Sequence, residues 1–330
     1  MRRVRSQAAQ RLQSIWRRHE TPPWSLRALS KAYGAVVSRR AAINPERPAC
    51  PVIVVGNLTV GGSGKSPVVA ELARWFKSQG HRPAMISRGY GGRAGNRPLQ
   101  VQDSTRSADC GDEARMLYQQ TGLPVWVCRQ RALALACAVE QGANVVISDD
   151  GLQHVGLPRS FELCLIDQSL GFGNGWLLPA GPLREPLERL ERVDALLYKR
   201  ALDLPAPHSD WSFVLEPVVL RPLSAREPQP RLRPGDRVDA VAGIAFPEAF
   251  FSSLERGYGL ELRTWPLADH QRIDSDWLNE LDGPVVMTAK DVARLDTVPA
   301  REDLFVLDVR ADLPAGLLEI LLEHVREFNS

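Results

Sequence analysis

The sequence predicts an α/β protein: a parallel-sheet core, a smaller second α/β lobe and an N-terminal amphipathic helix. Three observations carry that prediction. Short β-branched runs alternate with helical stretches through most of the chain, the pattern of a parallel sheet with right-handed crossovers. A glycine-rich turn, GGSGKS at 61–66, follows the first of those runs. Residues 1–40 carry ten Arg or Lys against one acid, Glu20. At 330 residues the chain exceeds the size at which one core usually stops growing, so two lobes are expected.

Residues 1–43 read as a basic arm. Within 24–43, Arg27 and Lys31 interrupt the apolar residues, so no uncharged run reaches the ~18 needed to span a bilayer. Read as a helix, Leu26, Leu29, Tyr33, Val36 and Val37 share one face, with Arg27, Lys31 and Ser38 away from it. Trp16, Trp24 and Tyr33 are aromatics of the kind that settle at a lipid interface. Such a helix can lie on an anionic leaflet, each basic residue contributing up to about 1 kcal/mol. The net charge of +2 gives no argument for nucleic acid. Five cysteines without a C-x-x-C pair exclude a disulfide framework and a zinc site, and are expected as small buried residues. No secretory signal is read at the N-terminus.

Residues 44–200 form the predicted first lobe. Val52–Val55 is a strand, 67–79 a helix closed by Gly80, and 83–87 a second strand leading into SRGYGG (87–92). Helices follow at 111–121 and 129–141, and strands at 144–148 and 162–167. Seven prolines between Leu204 and Pro234 mark 201–237 as a connector or extended hairpin. The rhythm returns in 238–330, with strands in VDAVAGI, LELRTWPL, GPVVMT and LFVLDV. Helices are expected there near 247–256, 274–281 and 313–327.

The turn after the first strand nearly spells G-x-x-x-x-G-K-[ST]. Gly64, Lys65 and Ser66 match, but the leading glycine is Thr59. A phosphate loop needs inward backbone N–H groups, a helix N-terminus and a cation. Thr59, Val60, Gly61, Gly62, Ser63, Gly64, Lys65 and Ser66 are the nucleotide-binding candidates, with Gly61-Gly62 supplying the bend. Lys65 can reach the β/γ-phosphates and Ser66 can ligate Mg²⁺. Only five lysines stand beside 36 arginines, so a lysine at this position carries weight. The core is therefore read as P-loop NTPase-type. Its magnesium requires a carboxylate at a neighbouring strand end. SDDGLQH (148–154) supplies Asp149 and Asp150 there, with Gln153 as a neutral hydrogen-bonding group.

Taken in order, VVGNLTVGGSGKSPVV, SRGYGG, GDE (111–113), SDDGLQH, FGNGWLLPAGPLREP (172–186), AGIAFPEAFF (242–251), ADHQ (268–271) and MTAKD (287–291) resemble one family. It is that of the tetraacyldisaccharide 4′-kinases, the lipid A 4′-kinases of Gram-negative bacteria. The resemblance implies transfer of the γ-phosphate of Mg-ATP to the 4′-hydroxyl of an acylated glucosamine disaccharide 1-phosphate, giving lipid IVA. It also implies a peripheral place on the cytoplasmic face of the inner membrane, and so a use for the basic arm. It assigns the acceptor-activating aspartate to Asp112 and its assisting histidine to His270, with lobe closure completing the site. Arg88, Arg184, Glu185 and Lys290 are expected near phosphate or glycolipid. Three departures stand out: serine for threonine in the loop, Ala114 where proline is usual, and Ala289 where the family more often has glutamate.

The rival reading is a membrane-associated P-loop GTPase or ATPase of metallochaperone or positioning type. A GTPase would need N-K-x-D, whereas MTAKD has lysine and aspartate adjacent. A positioning ATPase leaves Asp112 and His270 without a task. A soluble sugar kinase would not need the arm, and nothing in the chain implies a protein partner.

Overall fold

The computed structural model describes residues 12, 14–16, 21–40, 46–201, 204–205, 211–223, 231–244, 247–268, 271–295 and 297–328. In chain order the elements are α1 (Trp24–Arg40), β1 (Val52–Gly56), α2 (Lys65–Ser78), β2 (Pro83–Ser87), β3 (Leu99–Gln100), α3 (Ser107–Cys110), α4 (Asp112–Thr121) and β4 (Val125–Val127). Then come α5 (Arg131–Glu140), β5 (Val145–Asp149), β6 (Phe161–Asp167), β7 (Ala195–Lys199) and β8 (Ser212–Pro222). The remainder is β9 (Arg237–Ala242), α6 (Pro247–Ser252), β10 (Glu261–Pro266), α7 (Ser275–Asn279), β11 (Val285–Thr288), α8 (Ala289–Ala293), β12 (Leu304–Asp312) and α9 (Ala315–Phe328).

The chain divides into two compact units, one of residues 1–87, 130–214 and 312–330, the other of 88–129 and 215–311. This differs from a division into 44–200 and 238–330. The SRGYGG and GDE segments group with the later strands, because α4 packs on α8. The C-terminal helix groups with the first unit, where His324 Nε2 lies 2.9 Å from Ser160 Oγ and its ring packs edge-on to Phe161.

In the first unit β7, β6, β1, β5 and β2 lie side by side, all parallel. Every residue of β1, β2, β5 and β6 is buried, as expected of parallel strands covered on both faces. Helix α2 presses Val68, Val69, Leu72, Ala73 and Phe76 into that core. The sheet thus carries the C-terminal ends of β1 and β5, and the loops after them, to one edge, where α/β sheets bind ligands.

Strands β10, β9, β11 and β12 of the second unit are also parallel. Alternation sends Val238, Ala240 and Ala242 to one face, with Phe250 and Leu254. Val241, Val285 and Met287 go to the other, with Leu278 and Val292. β7, β4 and the long β8 are strands the sequence did not announce.

Helix α1 divides the apolar face read for it. Ser30 is buried, and Leu26, Tyr33, Gly34 and Val37 are half-buried, while Leu29 and Val36 are exposed with Trp24. The reason is close packing through small residues. Ser30 Oγ donates to the Leu177 carbonyl at 2.8 Å, and a Cβ on Gly34 would stand 2.9 Å from Leu177 Cδ1. No helix among the described residues is long and apolar enough to cross a membrane. The cysteines are free, and burial pushes the Cys50 and Cys110 thiols up to about 11 and that of Cys164 to about 12.

Candidate active site

The glycine turn has the backbone its residues allow. Gly61 (φ 124°) and Gly64 (φ 82°) lie in the region that favours glycine, and Gly62 does not. Helix α2 begins at Lys65, so Pro67 falls in its first turn, where a missing N–H costs little. Thr59 forms an antiparallel bridge with Leu183. The Val60 N–H donates to the Pro182 carbonyl at 2.9 Å and the Arg184 N–H to the Leu58 carbonyl at 2.6 Å. Bridged, extended backbone makes no demand for glycine, which accounts for threonine at the first position of the motif. The same bonds bring Arg184 to the loop.

Around Lys65 the first unit gathers most of the expected residues. Lys65 Nζ donates to Asn57 Oδ1 at 2.9 Å and Ser63 Oγ at 3.4 Å, and stands 3.4 Å from Asp150 Oδ1. Arg184 Nη1 donates to both Asp150 oxygens, at 3.0 and 2.9 Å, and to Gln153 Oε1 at 3.2 Å. Gln153 Nε2 donates to the Asn57 carbonyl at 3.0 Å and to Glu185 Oε2 at 2.9 Å. Arg131 Nη1 donates to the Asp150 carbonyl at 2.8 Å. Burial pushes the Asp150 carboxyl up, but the charges of Lys65, Arg184 and Arg131 outweigh it and hold the group at about 2. Asp150 also sits at φ 50°, a turn conformation that Asp tolerates better than most residues.

Asp149 meets Ser66, in the first turn of α2. It is buried at the end of β5, and Ser66 Oγ donates to its Oδ2 at 3.5 Å. Among the described residues no group of three or more His, Cys, Asp or Glu could hold a metal ion. A protein cage is not what Mg²⁺ needs, since it keeps waters and phosphate oxygens and takes one or two carboxylates. The hydroxyl of Ser66 beside the Asp149 carboxylate is a hard-oxygen donor set that fits it.

The second unit holds Asp112, Lys290 and Arg88. Gly111 (φ 87°) has no room for a side chain, as its Cβ would lie 2.5 Å from the Tyr90 carbonyl oxygen. Likewise a Cβ on Gly92 would lie 2.5 Å from the Gly111 nitrogen. The SRGYGG and CGDEA loops therefore pack backbone to backbone, which fixes Asp112 as the first residue of α4. Arg294 Nε donates to Asp112 Oδ2 at 2.9 Å. Its Nη1 donates to Asp291 Oδ1 at 2.9 Å and to the Gly243 carbonyl at 2.6 Å. Lys290 Nζ stands 3.9 Å from Glu113 Oε1, and Arg88 is exposed. His270 lies outside the described residues.

Sequence reasoning missed Asn57, Arg131, Asp291 and Arg294. Asn57 and Asp291 lie inside quoted motifs, GNLT and MTAKD, beside residues that drew the attention instead. Nothing in the motifs marks Arg131, whose partner Asp150 is 19 residues away, or Arg294, which reaches Asp112 across 182 residues as well as its neighbour Asp291.

A family model described as tetraacyldisaccharide-1-P 4′-kinase matches residues 22–326. The chain belongs to the tetraacyldisaccharide 4′-kinase family. Among its relatives, the tetraacyldisaccharide 4′-kinase of Alkalilimnicola ehrlichii is 41% identical, over 91% of this chain and 93% of that one. The corresponding protein of Dechloromonas aromatica is 39% identical, over 96% and 97%. A crystal structure of LpxK from Aquifex aeolicus in complex with ATP matches with a TM-score of 0.74 at 25% identity, covering 90% of this chain and 97% of that one. The tetraacyldisaccharide 4′-kinase match thus runs well beyond the eight segments that first suggested it, and through residues of both units.

Proposed function

We propose that this chain transfers the γ-phosphate of ATP to the 4′-hydroxyl of a tetraacyl glucosamine disaccharide 1-phosphate, giving the 4′-phosphorylated lipid A precursor. The observation that carries this reading is the family match over residues 22–326. The Lys65 cluster supports it, because phosphoryl transfer asks the protein mainly for position and charge. The backbone N–H groups of 61–66 and the Lys65 ammonium hold the phosphates. Ser66 and Asp149 hold Mg²⁺, with Asp150 in contact directly or through water. Mg²⁺, when bound, neutralises charge developing on the transferred group. Arg184 fixes Asp150, Gln153 holds Arg184, and Glu185 anchors Gln153. Arg88 and Lys290 serve phosphate or glycolipid.

A sugar hydroxyl is a weak nucleophile, so Asp112 takes its proton, and His270 assists. The acceptor is a membrane lipid, and α1 gives the chain a peripheral seat on the cytoplasmic face of the inner membrane. Exposed Trp24, Leu29 and Val36 support that role.

The test is transfer of labelled γ-phosphate from Mg-ATP to the tetraacyl disaccharide 1-phosphate in mixed micelles, with GTP and soluble glucosamine in parallel. Label in the glycolipid with ATP, and little elsewhere, is expected. Nucleotide hydrolysis without labelled lipid would overturn the reading. Asp112→Asn should lower turnover while leaving ATP affinity intact, and a collapse of ATP affinity would instead make Asp112 a nucleotide or metal ligand.

A further inference from the structure

We infer that Arg294 is the positioning residue for Asp112, holding its carboxylate at a fixed place while Asp291 and Gly243 hold Arg294. The inference rests on the reading of Asp112 as the group that receives the acceptor proton. Three observations lead to it. Only 4% of the Arg294 side chain is exposed, against 22% of Asp112. Buried guanidinium and half-buried carboxylate are joined by a bond from Nε–H to Oδ2 at 2.9 Å. The far end of the guanidinium is clamped, since Nη1 donates to Asp291 Oδ1 and to the Gly243 carbonyl.

Asp291 is in turn held on every side. Its Oδ2 accepts from Thr288 Oγ1 at 2.6 Å and from the Gly243 N–H at 3.1 Å. Thr288 caps α8, accepting from the Asp291 N–H. A Cβ on Gly243 would lie 3.0 Å from Asp291 Oδ1 and 3.1 Å from Arg294 Nη1, so glycine is what lets this backbone approach the pair. An ion pair so buried is a poor source of stability. What it supplies is geometry: a rigid fork whose orientation is set by two groups and read by a third. The AGI and MTAKD motifs thereby act on a residue of the GDE motif through Arg294, which lies in none of them.

The experiment is a kinetic double-mutant cycle on the full chain, with Arg294→Met, Asp112→Asn and the double variant, and with Arg294→Lys as the conservative change. Turnover and KM for Mg-ATP and glycolipid are measured in mixed micelles, with a thermal melt of each variant. Arg294→Met is expected to lower kcat about 10- to 100-fold, the scale of misplacing a reacting group by about 1 Å, with KM for ATP nearly unchanged. Arg294→Lys should fall between Arg294→Met and the parent. In the Asp112→Asn background, loss of Arg294 should cost almost nothing further, because its task is already gone. If Arg294→Met does not fold, Asp291→Asn with Arg294→Met removes the buried anion left behind and takes its place in the cycle. Equal losses in both backgrounds, or an unchanged kcat, would overturn the inference while the role of Asp112 stood. Normal turnover by Asp112→Asn would remove both.

Discussion

Replacing Lys65 by methionine tests the phosphate loop most directly, because the methionine keeps the apolar stem and removes only the charge. In the structure that charge is 3.4 Å from Asp150 Oδ1, with 11% of the lysine side chain exposed. Asp150 keeps Arg184 at 2.9 Å after the change, so its carboxylate is not left without a cation. The folding cost should therefore be modest, about 1 kcal/mol or less. The catalytic cost is another matter. A unit charge about 4 Å from a phosphate oxygen, at an effective dielectric constant of about 20, is worth about 4 kcal/mol. Ground-state binding shares part of that interaction, so a loss in kcat of roughly 10²- to 10³-fold is expected. Steady-state transfer in mixed micelles gives kcat, and a thermal melt of the same preparation separates chemistry from folding. Turnover within about threefold of the parent, with an unchanged melt, would refute the reasoning from charge and with it the assignment of this loop.

Asp150 sets a pH dependence. Its folded value, about 2, lies below the ordinary 3.8, so its contribution to stability is present above the ordinary value and is lost as pH falls through the folded one. With a third of the side chain exposed, that contribution is about 1–2 kcal/mol after screening. The stability gap between parent and Asp150→Asn should accordingly narrow as pH falls from about 4 to about 2, and a gap independent of pH would contradict the charge account. Gly243→Ala should lower stability by about 1–3 kcal/mol through the crowding of Asp291 and Arg294, and an unchanged melting temperature would show that the pair gives way freely. Leu29→Glu with Val36→Glu should weaken partition onto anionic vesicles without altering the melt. Unchanged partition would rule out that side of α1 as the docking surface.

Much of the fold was legible because parallel α/β architecture writes itself in runs of buried β-branched residues, and VIVV, VVIS and PVVMT are such runs. Glycines at 61 and 64 marked the turn for a physical reason, since each takes a positive φ, whereas Gly111, read into a helix, also takes one. The strand Ala195–Lys199 escaped because it is only partly buried and its sequence, ALLYK, suits a helix equally well. The division of the α1 face was not legible for a related reason. Hydrophobic periodicity assumes that large apolar residues seek the core, whereas this helix packs through Ser30 and Gly34 and leaves Leu29 and Val36 outside. At the site, the sequence singled out Lys65, Asp150, Gln153, Arg184 and Glu185, which lie together, but not Asn57 or Arg131, which bond to them. Arg131 and Arg294 act through side-chain reach across the fold, which spacing along a sequence does not encode.

The bonds that tie Thr59 and Val60 to the segment at 182–184 have a further reach. Tyr33 Oη, on α1, donates to the carbonyl of Arg184 at 3.0 Å, and Ser30 holds Leu177 in the same stretch. One strap of backbone thus carries the outer helix at one end and the entrance of the phosphate turn at the other. Were α1 to rest on a membrane surface, strain entering it would have a short hydrogen-bonded route to residues 59 and 60 at the start of the glycine turn. Thermodynamics would make such a route two-way: by whatever factor a bound surface tightened the hold on nucleotide, nucleotide would tighten the hold on that surface.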